Sequence, residues 1–165
     1  MEKIKRDKNR VDISKNRSDD ISGGYIIKID KITGDGDTLN EDIAFMSEYT
    51  KDGVKGINKN VHFLYEYPKN RDISDEQKNY IQGYMRGFED AMASENFTSE
   101  SEGYKKYIDV DSFIDFFILN EITRNVDAYR ISTFMHKDIN DKLKMGPIWD
   151  FNIAFGNADY CEGGL

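Results

Sequence analysis

A single cysteine, Cys161, stands in the 165 residues, so no intrachain disulfide can form and a multi-cysteine metal site is excluded. Histidine is nearly as scarce. His62 and His136 lie far apart with no cysteine or histidine companion, which argues against zinc. No stretch approaches the roughly 20 apolar residues that span a bilayer, and the N-terminus is charged where a signal peptide carries its apolar region. Basic charge is also in short supply: 23 Lys and Arg face 31 Asp and Glu, a net charge of -8. A general nucleic-acid binder needs a basic face to release phosphate counterions, so that class is disfavoured. The one basic run, Lys3-Ile4-Lys5-Arg6-Asp7-Lys8-Asn9-Arg10, is local. It reads either as a solvated strand edge and turn or as a strip attracting nucleotide or acidic substrate.

What is present is core material. Hydrophobic residues at 38% and aromatics at 13% supply the bulk that disordered chains lack. Residues 24–31, Gly-Tyr-Ile-Ile-Lys-Ile-Asp-Lys, follow a Ser22-Gly23-Gly24 turn and predict a strand. In that strand Lys28 could reach a phosphate, although alternation makes an exposed lysine the simpler account. A second strand, Val61 to Tyr67, ends at Pro68, which has no N–H for a sheet ladder. Between them, Thr33 to Asn60 reads as a long polar excursion. Its acidic part, Asp35 to Asp42, lacks the glycine and glutamate spacing of an EF-hand and predicts a solvated loop.

Ser74-Asp75-Glu76-Gln77 is a capping box, so a helix should begin there. Its apolar residues Ile81, Tyr84, Met85, Phe88 and Met92 recur at intervals of three and four and predict one core-facing stripe. Ser94 to Tyr107 reads as a loop. A second helix opens near Asp109 or Asp111. From Val110 to Ile122 it is apolar around most of its circumference, which predicts a scaffold buried on more than one side. Then come Thr123 to Arg130, a strand from Ile131 to His136, a polar turn Asp138 to Asp141, and a return strand Lys142 to Ile148 leading to Trp149-Asp150-Phe151-Asn152. Both ends look cut: residues 1–6 read as a strand already under way, and Gly163-Gly164-Leu165 carries no cap.

A buried helix, an aspartate loop, a hairpin and a second aspartate repeat the order of parts in a protein-kinase catalytic lobe. Phosphoryl transfer needs one carboxylate for the acceptor hydroxyl and another for the metal bridging the phosphates. Asp127 and Asp150 are 23 positions apart, room for two short strands and a turn. The kinase pattern puts a metal-binding asparagine five residues after the catalytic aspartate, where this chain has Ser132; Asn152 could supply an amide oxygen instead. Asn125 and Arg130 flank Asp127 and could position it or the transferred phosphate. Trp149 reads as core packing or as a wall of the nucleotide site. Each aspartate taken alone also fits a turn.

Three segments carry a more specific signal: Gly24 to Asp30, Asn120 to Arg130, and Gly146 to Asn157. Together they resemble the CotH (spore coat protein H) kinase family, an atypical branch of the protein-kinase-like fold. The resemblance implies an α+β fold: a partial catalytic core, mainly the helical lobe with a catalytic-loop hairpin. Residues 1–67 would be the remnant of the first lobe and residues 74–165 the catalytic core. It implies ATP and Mg²⁺ as cofactors, a coat or surface protein as substrate, and a spore-coat or cell-surface setting. Asp127 matches the family's catalytic aspartate and Asp150 its metal aspartate. Members often carry an aspartate at the position of Asn152 and an asparagine at that of Ser132. The nucleotide-binding strands and the phosphate-covering loop would lie upstream of Met1, with Glu2 and Lys3 bordering the nucleotide. The rival reading is a non-catalytic coat or surface module, which the residues at positions 132 and 152 favour.

Overall fold

The computed structural model describes residues 2–32, 39–49, 55 and 61–160. Cys161, Gly163-Gly164-Leu165 and the Asp35 to Thr38 part of the acidic loop lie outside them. Five strands form one antiparallel sheet in the order β2-β3-β1-β4-β5: β1 Tyr25–Ile29, β2 Ala44–Met46, β3 His62–Tyr67, β4 Thr133–Lys137 and β5 Leu143–Met145. Two helices, α1 Asp75–Ala93 and α2 Val110–Thr123, complete an α+β architecture. β4 pairs with β1 along its whole length, from Tyr25↔Lys137 to Ile29↔Thr133, so the hairpin β4–β5 continues the sheet built by β1, β2 and β3.

Strand alternation gives the sheet two working faces. Tyr25, Ile27, Phe63, Tyr65 and Met135 pack against Ile81 and Met85 of α1 in the larger core. Ile26 and Phe134 point the other way and pack against Ile4, Val11 and Ile13 of the N-terminal segment, with Tyr67 and Trp149 beside them. Residues 2–6 form no strand, and that second core takes up their apolar side chain instead. Ile4 enters the core from an irregular turn whose only sheet-like link is an isolated bridge between Arg6 and Val11. The polar excursion likewise hides the short β2, whose Ala44 and Phe45 are buried. Three residues are too few for alternation to register as a pattern.

The capping box forms as its residues dictate: the Gln77 amide donates to Ser74 Oγ (3.3 Å) and the Ser74 amide donates to Gln77 Oε1 (2.9 Å). Ile81 and Met85 are buried in the α1 stripe, whereas Met92, near the helix end, is exposed. Asp109 caps α2 by accepting from the Ser112 amide (3.1 Å). Phe113 packs edge-on to Phe88 of α1 (6.0 Å), and Ser112 Oγ accepts from the Met145 amide (3.2 Å), so α2 rests against α1 and β5. Burial on more than one side does not follow. Ile114, Phe117 and Ile118 are about half exposed and Ile122 is 74% exposed; on that flank Phe117 meets the Tyr129 ring.

Glycine is required where β1 begins. Gly24 sits at φ +79, and a Cβ on Gly23 would lie 2.0 Å from the Ile139 amide nitrogen, so the turn between β4 and β5 closes directly on this backbone. Lys137, at the end of β4, is 2% exposed. Its ammonium donates to the carbonyls of Ser22 and Asp138 and lies 4.7 Å from the Tyr84 ring centre. Burial pushes its pKa down.

Three outcomes follow for stability. Ser74→Ala removes an N-cap and should cost about 1 kcal/mol, read as a lower denaturation midpoint. Ile81→Ala opens the core and should cost about 2–5 kcal/mol. Replacing Ile118 and Ile122 by Lys should reduce light scattering of concentrated samples without lowering Tm, because both side chains already face solvent.

Candidate functional site

The sequence ends α2 with an arginine rather than a glycine, and the chain still turns sharply. Arg124 adopts left-handed backbone angles (φ 49, ψ 49) as the C-cap. Beyond it the Asn125 amide donates to the Asn120 carbonyl (3.1 Å), and the Asn125 side chain donates to Asn120 Oδ1 (2.9 Å). Asn120 itself is buried, and its own amide donates to the Phe116 carbonyl (2.8 Å). A polar side chain in this apolar helix is thus fully used as the peg that holds the next loop. Asn125 in turn accepts from the Asp127 amide (3.4 Å), setting where Asp127 stands.

Asp127 opens a tight turn: its carbonyl accepts from the amides of Arg130 (3.3 Å) and Ile131 (3.2 Å). Its carboxylate, 16% exposed, takes an ion pair from Arg130 Nη2 at 2.8 Å. Tyr129 (φ 69) and Ser132 (φ 52) both sit in left-handed conformations, so the chain doubles back before entering β4. Tyr129 donates to Glu121 of α2 (2.9 Å) and stacks on Phe117, bracing the loop from outside.

Asp150 arrives from the other end of the hairpin. It also has a left-handed backbone (φ 61, ψ 46) and leads into a 3-10 turn over Phe151–Ile153. Ser132 Oγ donates to Asp150 Oδ2 (3.3 Å), which joins the start of β4 to the residue that follows β5. The amide of Asn152 satisfies its neighbours with the nitrogen toward Asp150, donating to Oδ1 (2.7 Å) and to the backbone carbonyl (3.2 Å). Further on, the Phe155 amide donates to the carbonyl of Thr123 (2.6 Å), the last residue of α2. Both aspartate loops are therefore tied to one helix end.

The predicted residues thus fall into two linked groups: Asp127 with Asn125 and Arg130, and Asp150 with Ser132 and Asn152. Trp149 packs edge-on to Phe134 (6.2 Å) on the sheet face that carries the second core. Glu2 and Lys3 are both exposed in the segment that crosses this face; Glu2 pairs with Arg10 (2.5 Å). Two residues that sequence reasoning missed belong to the site. Asp30, just past β1, accepts from the Ser132 amide (3.4 Å), and Asn120 holds the Asp127 loop. A lone asparagine in a helix apolar on nearly every side was the available signal for Asn120. Asp30 had none, because its partner is 102 residues away.

Asp150 Oδ2 and Ser132 Oγ are hard oxygen donors, a set that fits Mg²⁺ rather than a softer metal. Among the described residues no three His, Cys, Asp or Glu side chains gather into a metal cage. Mg²⁺ does not require one, since it commonly takes one or two carboxylates and completes its shell with water and phosphate oxygens. A larger cavity, about 730 Å³, lies between β2 and α1 and is lined by Asp42, His62, Lys78 and Arg86. None of the predicted site residues lines it.

Neither the curated proteins nor the solved structures contain a match to the chain. The family described as CotH kinase protein matches residues 1–164, nearly the whole length, and includes all three segments on which the resemblance rests: the chain belongs to the CotH kinase family.

Proposed function

We propose that the protein transfers phosphate from ATP to hydroxyls of a protein acceptor, with Asp127 and Asp150 as the two working carboxylates. The observation that carries this reading is the common anchorage of their loops. The Asp127 loop is pegged to Asn120, and the segment after Asp150 is tied to Thr123 three residues along the same helix. Such shared anchorage brings both loops to one helix end, and phosphoryl transfer requires its acceptor and metal groups to be held in position. In this scheme Asp127 accepts a hydrogen bond from the acceptor hydroxyl and takes its proton as that oxygen bonds to the γ-phosphorus and the bond from phosphorus to the ADP oxygen breaks, releasing ADP. Arg130, now paired with Asp127, is placed to move onto the transferred phosphate, a planar cation suited to phosphate oxygens. Asp150 and Ser132 present the oxygen donors for Mg²⁺, which when bound would neutralise charge on the phosphates. Trp149 offers an aromatic wall on the same side of the sheet as Phe134. The spore-coat or cell-surface setting and a coat-protein acceptor belong to this reading through the family.

A second reading, a non-catalytic coat or surface module, draws on the ion pair by which Arg130 already neutralises Asp127. Hydrogen-bond complementarity also assigns the Asn152 amide nitrogen, not its oxygen, to the side facing Asp150. In that case both aspartates are turn residues held by local hydrogen bonds.

Calorimetry separates the two. On the kinase reading the protein binds ATP in the presence of Mg²⁺, Asp150→Ala abolishes the Mg²⁺-dependent part, and the melting curve stays cooperative. Asp127→Asn should keep nucleotide binding while phosphate incorporation into a protein acceptor falls about a hundredfold or more. A well-folded wild type that binds no nucleotide would leave the module reading standing.

A further inference from the structure

β1 carries a lysine that alternation alone would leave in solvent, yet the Lys28 side chain is only 19% exposed. It lies on the sheet face of Ile26 and Phe134, with its ammonium 5.7 Å from the Phe134 ring centre, 3.3 Å from Asp30 Oδ2 and 3.5 Å from Glu66 Oε2. Glu66 also holds Lys69 (2.6 Å), so one carboxylate fixes two cations. Beside them opens a cavity of about 250 Å³ whose wall includes Lys28, Lys31, Glu66, Lys69 and Asn70. Lys31 comes from the turn after β1 and Lys69 from the turn after β3. Among the described residues the Lys31 ammonium has no carboxylate partner. Among the described residues, three lysines against Glu66 and Asp30 give the cavity wall a surplus of positive charge, in a chain whose net charge is -8.

The cavity is also joined to the candidate site. Asp30 bonds Lys28 through Oδ2 and accepts the Ser132 amide through Oδ1 (3.4 Å); Ser132 then bonds Asp150 (3.3 Å). Lysines therefore stand at one end of a short run of contacts and the metal aspartate at the other.

We propose that this cavity is a site for a phosphate chain, with Lys28, Lys31 and Lys69 as its cations and Asn70 as a neutral donor. Resting on the kinase reading, the chain is that of a nucleoside triphosphate whose far end reaches toward Asp150. Lysine suits the task, being a compact charge with rotatable donors that follows a flexible polyanion. Glu66 and Asp30 hold Lys28 in place before the ligand arrives, so little reorganisation is needed on binding. An acidic peptide is the competing occupant. The run of contacts Lys28–Asp30–Ser132–Asp150 favours phosphate, because it links the lysines to the carboxylate that the kinase reading assigns to Mg²⁺.

The test is calorimetry of inorganic tripolyphosphate, of ATP and of an Asp/Glu-rich peptide, with and without Mg²⁺, on the full chain. The variants are Lys31→Ala/Lys69→Ala and Asp150→Ala. Lys28 is left intact in the first variant because its removal would strand two carboxylates, whereas Lys31 and Lys69 are exposed. The expected result is that the double lysine variant weakens tripolyphosphate and ATP alike by about tenfold or more. Asp150→Ala should keep Mg²⁺-free tripolyphosphate binding and lose only the gain that Mg²⁺ brings. ATP binding that depends on Asp150 but ignores both lysines would overturn the phosphate site and leave the kinase reading intact. Lysine-dependent tripolyphosphate binding with no affinity for ATP would keep the phosphate-chain site, assign it to free polyphosphate and remove the kinase reading. Preference for the acidic peptide, or no binding of any of the three, would overturn the proposal.

Discussion

Pairing of β1 with β4 is the constraint on which the rest of the molecule depends. Five registered pairs join residues 25–29 to residues 133–137, across more than a hundred residues of intervening chain. Closing so long a loop is entropically costly. Burial of Ile26 and Ile27, one on each face of the strand, offsets it. The register does more than hold the sheet together. A slip of one residue would turn Ile26 toward α1 and Ile27 toward the N-terminal segment, and would move Lys28 off the face that carries Phe134. Asp30 meets Ser132 only because the pairing ends at Ile29↔Thr133.

The candidate site inherits its geometry from that register and from the end of α2. Neither aspartate sits in regular structure. Each lies in a turn with left-handed residues beside it or at it, a backbone state that L side chains adopt at some energetic cost. What holds the turns is polar: Asn120 through Asn125 on one side, Thr123 through Phe155 on the other. On the kinase reading these loops would tolerate no drift, because phosphoryl transfer is a matter of position and charge more than of covalent chemistry. Membership of the CotH kinase family places both aspartates in matched segments. The family does not explain Ser132 and Asn152, and the structure gives each a local task as a donor to Asp150.

Legibility in the sequence followed the range of the interaction. The capping box at Ser74, the cap at Asp109 and the core residues Ile81 and Met85 were readable because their causes lie within one or two helical turns. The expected strand at residues 1–6 was an error of context. Ile4 is apolar and buried as a strand residue would be, but it is buried by packing on Phe134 and Ile26 without a neighbouring strand to pair with. The α2 helix misled in the opposite sense. Its apolar circumference suggested burial on several sides, while Ile114, Phe117, Ile118 and Ile122 stay exposed among the described residues. Composition records what a helix could bury, not which neighbours reach it.

By itself the sequence determined the helices and their starts, the α+β class, the exclusion of an intrachain disulfide, and the two aspartates in segments that identify a family. Each of these rests on local chemistry: cap side chains meeting amides three residues away, alternation along a strand, residue types in a contiguous motif. Only the tertiary structure decided that Lys28 is sheltered, that Asp30 stands behind Ser132, and that Asn120 carries the Asp127 loop. Only it decided that both aspartate loops hang from one helix end. Those facts come from groups far apart in the chain, brought together by the register of β1 on β4 and by the packing of α2 against β5. Long-range pairing of this kind leaves no periodicity to read, because its signal is carried by the other strand.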